Sequence, residues 1–563
     1  MGANGVNQLD ENSPKQLPLT TAGKLDKIVE HDAAAAAAAA ATTTARDQAT
    51  DFESAIDAAG FGLFNVLLLL VAVPAAMASV YETSTMSYIL PSAECDLKLS
   101  LLDKGILNAI TYAGMISSAI FWGYIADTQG RRKLLIYGYL ADTICVLGGA
   151  LSQNVVQLMV FKYLGGMIMS GPFAVLMTYL TELHGRQYRQ RVMMSIGIMF
   201  SMATLSLPGL AMGILPQTWH IRIWGLSLHS WQLFVAITAV PSLLSCLLFP
   251  FLPESPKFLM SKGRNAEAME AFRFMYALNT RQSRDAYPIK QLANELPERG
   301  TKDVAGVEQL AETKPIGSLR AGLRQMRPLF TKPYLGLSLW VYLLNFCVLL
   351  GQNTMRLWLP QLFASINEYE QLMGSVVDEA NANASTSICD IIEYSVNRTE
   401  TQLQSTLGEC KVNISASSYT NNFIVAAAGL VAYMLAGVLV NLVGFKRIMT
   451  MGLFTAGSCA MGMYWSNSSI STVALASIFV TMGSISSTSV ISASLNIFPT
   501  ALRTMIVSLG MMVGRMGSLV GNVVFPALMG LGCVPPFLMV SFFMFFACLL
   551  ASFLPLKNKA VLK

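Results

Sequence analysis

Charged residues are scarce in this chain. Asp, Glu, Lys and Arg make up 13% of its 563 residues, whereas soluble proteins usually contain ~25%. Hydrophobic residues reach 53%, and the mean hydropathy is +0.51. This balance excludes a soluble multidomain enzyme. The net charge of +5 is modest and forms no basic stripe, so we expect no nucleic-acid partner. The four histidines are too scattered for a metal site, and no pattern indicates a cofactor or a nucleophile–base pair.

Apolar stretches recur along the chain with short polar breaks between them. Twelve spans of ~20 residues would occupy about 240 residues and leave the remainder for tails and loops. The sequence therefore predicts an all-α membrane protein with twelve transmembrane helices. The predicted spans are 62–84, 104–125, 134–154, 156–181, 192–214, 231–252, 333–356, 423–443, 449–465, 471–495, 504–528 and 534–555.

Positive charge indicates how these spans are oriented. The breaks that contain Arg131 and Lys446 fall on one face, together with the Lys- and Arg-rich break 253–332. By the positive-inside rule this face is cytosolic, and both termini lie on it. The start of the chain lacks the pattern of a cleaved signal peptide and includes a low-complexity alanine run. The predicted organisation is a disordered N-terminal tail (1–58), a six-helix half (59–252), a cytosolic linker with short helices (253–332), a second six-helix half (333–555) and a C-terminal tail (556–563).

The predicted loop 360–422 lies on the opposite face, which is lumenal or extracellular. It is acidic and holds three N-glycosylation sequons, which mark an exposed segment on that face. Cys389 and Cys410 fall in this loop, where oxidation is permitted. A bridge between them would close a loop of about 20 residues, and the alternative is that both thiols stay free. The predicted glycosylation sites are Asn383, Asn397 and Asn413, with a further sequon at Asn467.

Short sequence fragments repeat at a constant offset of 314 residues. They occur at equivalent span ends, which chance does not readily produce. Transporter folds are often built from repeated halves. The repeat therefore predicts two pseudo-symmetric six-helix halves. The matching positions are Gly123 and Gly437, Asp127 and Asn441, Gly130 and Gly444, Glu182 and Asn496, and Arg189 and Arg503.

The segment Gly123-x3-Asp127-x2-Gly130-Arg-Arg-Lys resembles the signature between spans two and three of the major facilitator superfamily. Pro253-Glu-Ser-Pro after span six resembles the mark of its sugar and organic-ion branches. The segments that begin at Gly60, Leu90 and His229 are similar to those of the synaptic vesicle glycoprotein 2 group. The resemblance covers most of residues 55–555. It departs in the outer loop, which is too short for the β-structured lumenal domain of that group.

This resemblance implies an inner gate of charged residues at the cytosolic span ends. Gly123 would let a neighbouring helix approach closely, and Gly130 would permit a turn conformation closed to other residues. The alternative is that the charged residues only anchor the topology. Asn441 and Asn496 replace two acids in the second half, which predicts an asymmetric gate. The predicted gating residues are Gly123, Asp127, Gly130, Arg131, Arg132, Glu182, Arg189, Glu254 and Arg503.

Few ionisable residues fall within the spans, and such residues are functional candidates because hydrocarbon makes them costly. They are Glu82, Asp142, Lys162 and Arg515. Spans one and four run in opposite directions, so Glu82 and Lys162 are expected at similar depth. They would form an ion pair or a shared substrate site. The alternative is that each side chain snorkels to the membrane surface.

Span seven carries a polar face that includes Gln352 and Asn353. In the superfamily, spans one, four, seven and ten line the central cavity, so we expect these side chains to face it. Close helix packing is the alternative interpretation. The Gln-Gln-x-Ser-Gly pattern of sugar porters is missing from this span, which disfavours sugar as the substrate.

Arg515 lies about twelve residues into predicted span eleven, ~18 Å along the helix axis and near the middle of the bilayer. A guanidinium stays charged there and needs a partner or water. Organic-anion carriers of the superfamily tend to have a basic residue in this span. The resemblance therefore implies an anionic or zwitterionic substrate at Arg515, with helix packing as the alternative role.

These observations together predict a secondary transporter that moves a small organic solute across a membrane by alternating access, not an enzyme. A proton or cation as the coupling ion stays open, as does the choice between plasma membrane and intracellular vesicle. The rival hypothesis is a non-transporting membrane glycoprotein that acts by binding partners. That rival predicts dispensable buried charges and an indispensable outer loop.

Overall fold

The described part of the protein is a bundle of long helices. The structure, a computed structural model, describes residues 50–217, 219–223, 226–293, 327–376, 387–404 and 416–555. We call the face that the charge pattern places in the cytosol the inner face, and the opposite face the outer face.

The first half contains five long helices, a β-hairpin and a broken sixth span. The break falls at Ala239, next to Pro241, whose ring removes a backbone donor from the start of the second segment. The elements are α1 (Phe52–Ala59), α2 (Leu63–Leu97), α3 (Leu101–Gln129), α4 (Arg131–Ala150), α5 (Val155–Glu182), α6 (Arg189–Ile214), β1 (His220–Ile223), β2 (Leu226–His229), α7 (Ser230–Thr238) and α8 (Val240–Leu248). The two strands are antiparallel, with His220 opposite His229.

The described part of the linker contributes two α-helices, α9 (Pro256–Ser261) and α10 (Asn265–Thr280). The second confirms the helix expected in this linker. It packs against α1, with the rings of Phe52 and Phe272 6.1 Å apart, and Tyr287 donates a hydrogen bond of 2.7 Å to the Ala55 carbonyl. The predicted disordered tail 1–58 is therefore wrong at its C-terminal end, because an apolar face of α1 is buried here. Residues 1–49 lie outside the described part.

Seven α-helices of the second half lie in the residues that the structure describes. The predicted outer loop 360–422 begins too early, because Pro360 lies inside a helix that continues to Val376. The loop itself contains a helix that the sequence did not predict. The elements are α11 (Leu335–Val376), α12 (Ile388–Gln404), α13 (Ala416–Val443), α14 (Phe445–Tyr464), α15 (Ser469–Ile497), α16 (Thr500–Met529) and α17 (Val534–Ser552).

Ten helices or helix pairs in the described part are long and apolar enough to cross a bilayer. Helices α13 and α14 lie at the positions of predicted spans eight and nine. With them, the helices account for the twelve predicted spans. The protein is a multi-pass integral membrane protein with the predicted all-α architecture.

The internal repeat is visible in the helix boundaries. Helix α4 follows Gly130 and α14 follows Gly444, 314 residues later, with φ angles of 98° and 91°. Both glycines therefore occupy a backbone region that other residues rarely adopt. The same offset relates the start of α5 to the start of α15, and the end of α3 to the end of α13.

The predicted Cys389–Cys410 bridge is wrong, because Cys389 is bonded to Cys533 at the start of α17. Cys389 begins α12, a helix of 17 residues, which carries the chain about 25 Å away before the loop continues. Cys410 lies outside the described residues. Cys95, at the outer end of α2, is also disulfide-bonded.

Candidate functional site

The structure brings Glu82 and Lys162 together, as the span directions predicted. The Lys162 Nζ atom donates to Glu82 Oε2 at 2.7 Å and to the Glu82 carbonyl at 3.1 Å. Both side chains are almost fully buried, with 4% and 1% of their areas exposed. A Cβ on Gly165 would lie 2.5 Å from Glu82 Oε1, so only glycine leaves room for the carboxylate there. The snorkelling alternative is wrong for this pair. Its proposed part in substrate binding stays a prediction.

Asp142 on α4 is buried in the same half. Its Oδ2 accepts a hydrogen bond from the Ser242 hydroxyl on α8, and Oδ1 has no hydrogen-bond partner. Among the described residues, no basic group lies within ion-pair distance of this carboxyl. An ionised carboxyl buried without a basic partner is costly, which keeps Asp142 a functional candidate.

Arg515 lies midway along α16 and is partly exposed. One guanidinium nitrogen donates to Ser170 Oγ at 3.4 Å, across the boundary between the halves. The guanidinium also lies over the Phe173 ring, 5.9 Å from its centroid, and Phe173 stacks on Phe200. Within the described chain, no carboxylate is close enough to neutralise Arg515. A cationic group thus stands beside an aromatic pair at the interface of the two halves.

Gln352 does not face a cavity in this conformation. Its amide donates to the Val480 carbonyl at 3.1 Å and to Ser484 Oγ at 3.0 Å on α15, and only 3% of the residue is exposed. The expectation of a cavity-facing Gln352 is therefore wrong, and the packing alternative describes it. Asn353 is partly exposed and donates to Ser518 Oγ on α16 at 2.7 Å.

At the inner face, the first half contains a compact polar cluster. Arg131 Nε lies 3.4 Å from Glu182 Oε2, and the Ser255 hydroxyl donates to the same oxygen at 2.5 Å. The Arg131 guanidinium also lies over the Phe258 ring. This cluster joins α4, α5 and α9, so it ties the linker helices to the first half.

Glu254 stabilises the start of α4. Its Oε1 accepts hydrogen bonds from the backbone amides of Arg131 and Arg132 at 2.9 and 3.0 Å. A carboxylate at a helix N-terminus satisfies unpaired amides and interacts favourably with the helix dipole. A Cβ on Gly130 would lie 2.6 Å from Glu254 Oε2, which explains the glycine in this turn together with its positive φ. The expected close approach at Gly123 is wrong, because a Cβ there would meet nothing within 4 Å.

The remaining predicted gating residues are distributed differently from the expectation. Arg189 donates two hydrogen bonds to the Glu53 carboxylate on α1, at 2.9 and 3.0 Å. The acidic partner of Arg189 therefore lies in the segment that was predicted to be a disordered tail. Arg132 donates from its side chain to the Pro250 carbonyl. Arg503 donates to the Phe498 carbonyl at 3.1 Å and meets no acid in the described part. The side chains of Asp127, Asn441 and Asn496 lie outside the described part.

His184 lies beside this inner cluster and is fully buried. Burial lowers its pKa below the usual value for histidine. Its Nδ1 lies 2.7 Å from the Leu180 carbonyl, which fits a neutral ring with the proton on Nδ1.

A second charged cluster lies at the outer face, and sequence reasoning missed it. Lys104 at the start of α3 is fully buried, with its Nζ 2.8 Å from Glu94 Oε1 on α2. Thr399 on α12 donates to the same oxygen at 2.8 Å, and the neighbouring Arg398 pairs with Glu368 on α11. Helix α12 therefore contacts both halves at once. The signal in the sequence was the apolar run after residue 84, which continues α2 to Leu97 and brings Glu94 into the bundle.

Hydrogen bonds between the halves lie at the outer face and the middle of the bundle. In the described part of the chain, none joins the inner ends of the two halves. This distribution corresponds to a conformation that is closed on the outer side. The pairs are Thr399 with Glu94, Arg356 with Ser84, Tyr419 with the Tyr88 carbonyl, Asn108 with the Leu357 carbonyl, Thr420 with Met212, and Arg515 with Ser170.

Two of the glycosylation sequons can be placed in the structure. Asn397 on α12 and Asn467 before α15 are both exposed. They lie on the outer face of the bundle, and their glycosylation stays a prediction. Asn383 and Asn413 lie outside the described residues.

A family model described as "Sugar (and other) transporter" matches residues 61–374. The chain belongs to this family. The predicted membership of the major facilitator superfamily is thereby confirmed. The match covers the first half, the linker and α11, and so includes Glu82, Lys162 and the inner cluster.

Curated relatives confirm the resemblance to the synaptic vesicle glycoprotein 2 group. Synaptic vesicle glycoprotein 2B of Rattus norvegicus is 31% identical over 239 residues, which are 41% of this chain and 34% of that protein. Synaptic vesicle glycoprotein 2C of Mus musculus is 27% identical over 290 residues, which are 50% of this chain and 40% of that protein. The matches thus span about a third to two fifths of the length of these relatives.

Solved transporter structures share the fold. The inward open conformation of the xylose transporter XylE from E. coli superposes with a TM-score of 0.60, at 16% identity, over 88% of this chain and 98% of that one. A crystal structure of a D-xylose-proton symporter gives a TM-score of 0.58 at 16% identity, over 88% and 99% of the two chains. At this identity the likeness concerns the architecture of two six-helix halves.

Proposed function

We propose that this protein is a secondary transporter that moves a small organic anion or zwitterion across a membrane by alternating access. The observation that carries the proposal is Arg515. Its guanidinium stands at the boundary between the halves, and its only hydrogen bond in the described structure is to the Ser170 hydroxyl. A permanently charged group in that position needs an anionic partner, which a carboxylate or sulfate group of the solute supplies.

The residues around Arg515 favour a solute that carries an aromatic or apolar group next to its anionic group. Phe173 lies under the guanidinium and stacks on Phe200, with ring centroids 5.8 Å apart. Aromatic side chains offer apolar surface and a stacking face. Glu82 does not compensate Arg515, because its carboxylate is paired with Lys162.

Alternating access is supported by the uneven contacts between the halves. The outer ends are joined through α12 and the helices around it, whereas no described hydrogen bond joins the inner ends. Opening the outer side requires breaking a limited set of hydrogen bonds. Among the described residues, the inner cluster joins elements of the first half and its linker, which leaves that half free to rock against the second as one body.

An anionic solute is preferred here to a sugar. The family description includes solutes other than sugars, and the xylose specificity belongs to proteins only 16% identical to this one. This chain lacks the sugar-porter pattern in span seven, and its Gln352 amide is used to bind α15. The coupling to a proton or cation, and the location in the plasma membrane or in vesicles, stay predictions from the sequence.

Uptake by purified protein in liposomes tests this proposal. We expect benzoate to enter faster than benzamide, its neutral counterpart, and benzylamine, its cationic counterpart. Arg515→Ala should lower benzoate uptake at least about tenfold, the usual effect of losing a charge-assisted hydrogen bond. Arg515→Lys should retain part of the uptake. Faster entry of benzylamine in the wild type, no benzoate entry at all, or an Arg515→Ala variant with unchanged benzoate uptake would contradict the proposal.

A second prediction concerns the gate. Asp127→Asn removes a charge at the inner end of α3, and we expect slower exchange between inward- and outward-facing states with normal insertion into the membrane. Distance measurements by electron paramagnetic resonance between labels on the outer ends of the two halves report this exchange. Lys133→Gln is the control, because Lys133 lies close by, is exposed and is not among the predicted gating residues. Exchange at the wild-type rate in Asp127→Asn would remove this residue from the gate.

A further inference from the structure

The cations of the membrane helices fall into two groups. In the described chain, four lie in the middle or outer part of the bundle, namely Lys104, Lys162, Arg356 and Arg515. Lys104 and Lys162, in the first half, are each within 2.8 Å of a carboxylate oxygen. Arg356 and Arg515, in the second half, are not paired with any described acid. Each reaches across the boundary to a serine hydroxyl of the first half instead.

The proposed function assigns a role to Arg515 but none to Arg356. One of its guanidinium nitrogens donates to Ser84 Oγ on α2 at 3.1 Å, and the side chain is partly exposed. The nearest acid along α2 is Glu82, two residues away, and its carboxylate is bound to Lys162. The Glu82–Lys162 pair is neutral as a unit, so it does not offset the positive charge of Arg356.

The two guanidinium groups meet the first half at different depths. Ser84 lies two residues beyond Glu82 toward the outer face, and Ser170 lies eight residues beyond Lys162 toward the inner face. Because Glu82 and Lys162 are at one level, the two serines are about 15 Å apart along the bundle axis. Arg356 therefore belongs to the outer part of the path and Arg515 to its middle.

A serine hydroxyl is a weak partner for a guanidinium. It carries no charge, and it belongs to the half that must move away when the outer side opens. Arg356 would then face the aqueous opening without a hydrogen-bond partner among the described residues. An arginine cannot lose its charge in this situation, so an anion from the outer solution is the group that can replace the hydroxyl.

We propose that Arg356 is an outer anion-binding station of the translocation path, at which the anionic group of the solute binds before it reaches Arg515. The station takes a carboxylate or a similar oxyanion and is formed when the outer side is open. This proposal rests on the proposed function. It adds a second binding site to that function and an order in which the solute occupies the two sites during uptake.

The test compares the two faces of the membrane. Right-side-out and inside-out liposomes are separated by capture through a tag on the C-terminus, and the KM for benzoate is measured from each face. We expect Arg356→Gln to raise the KM at the outer face about tenfold or more and to change the KM at the inner face less than about twofold. Arg356→Lys should restore most of the outer affinity. Ser84→Ala is the matched control, because it removes the neutral partner and keeps the cation, and it should leave the outer KM unchanged or lower.

The outcomes separate this proposal from the proposed function. Suppose that the wild type transports benzoate and Arg515→Ala abolishes this transport, while Arg356→Gln leaves the KM at the outer face unchanged. In that case the proposed binding station at Arg356 is wrong, whereas the proposed transporter function is supported. An equal rise of KM at both faces in Arg356→Gln also overturns the station, since it indicates a structural role. If the wild type moves no benzoate from either face, the failure lies with the proposed function itself.

Discussion

Replacing Glu82 by Gln is expected to lower the free energy of unfolding by about 3–5 kcal/mol, the usual cost of breaking a buried ion pair. The reason is the ammonium group of Lys162, which is buried and has no other carboxylate within reach in the described structure. Glutamine keeps a carbonyl acceptor but no charge to offset the ammonium. The measurement is the melting temperature of the purified protein in detergent, followed by loss of its monodisperse peak in size-exclusion chromatography.

Two further variants separate stability from substrate binding at this pair. The double variant Glu82→Gln with Lys162→Met removes both charges, and we expect it to recover most of the stability, because apolar replacements of buried pairs are often neutral. If the pair also binds substrate, this stable double variant will still show low benzoate uptake. The charge swap Glu82→Lys with Lys162→Glu should restore pairing. A single Glu82→Gln variant as stable as the wild type would show that the pair contributes little to the fold.

Removing the Cys389–Cys533 disulfide is expected to cost about 2–5 kcal/mol of stability, because it closes a loop of 144 residues that spans most of the second half. It also ties α12 to the start of α17 and so keeps the outer helix on the second half. The change is Cys389→Ser with Cys533→Ser, and the readout is the melting temperature with and without a reductant. Cys548→Ser is the control, since Cys548 is a free thiol on α17.

The bond itself can be checked without any variant. Digestion of the non-reduced protein followed by mass spectrometry should recover the Cys389 peptide joined to the Cys533 peptide. Recovery of Cys389 joined to Cys410 instead would restore the pairing expected from the sequence. If the wild type contains the bond and the double serine variant nevertheless melts at the wild-type temperature, the bridge does not stabilise the second half.

The sequence predicted those parts of the site in which a residue type has a single physical explanation at its position, such as a charge in hydrocarbon or a glycine in a tight turn. Glu82 and Lys162 are costly in hydrocarbon, lie in antiparallel spans and are at matched depth, so their meeting follows from the topology. Gly130 was predictable because the turn between α3 and α4 needs a positive φ. Arg515 was recognised by its depth alone. Its neighbours Ser170 and Phe173 were not predicted, because nothing in a hydroxyl or a phenyl ring indicates which face of α5 turns toward the second half.

Other partners could not be predicted because several choices were equally available. Arg131 and Arg189 could each have paired with any acid at the inner face. The structure places Glu182 beside the first and Glu53 beside the second. The short helix that carries Glu53 was predicted as part of a disordered tail, since eight residues are too few to give a strong periodic signal. Glu94 and Lys104 were missed because the end of α2 was placed thirteen residues too early.

The sequence by itself determined the number of spans and the two related halves. These features follow from local rules, because each membrane span must satisfy its own backbone hydrogen bonds and be apolar over its length. Apart from the Glu82–Lys162 pair, which the span directions predicted, only the tertiary structure decided which side chains meet. The rotation of each helix directed Gln352 toward α15, brought Arg356 to Ser84, and placed α12 so that Cys389 bonds Cys533. Such choices depend on packing between helices that are distant in the chain, and the hydropathy and charge of one span do not show which neighbouring helix its polar face contacts.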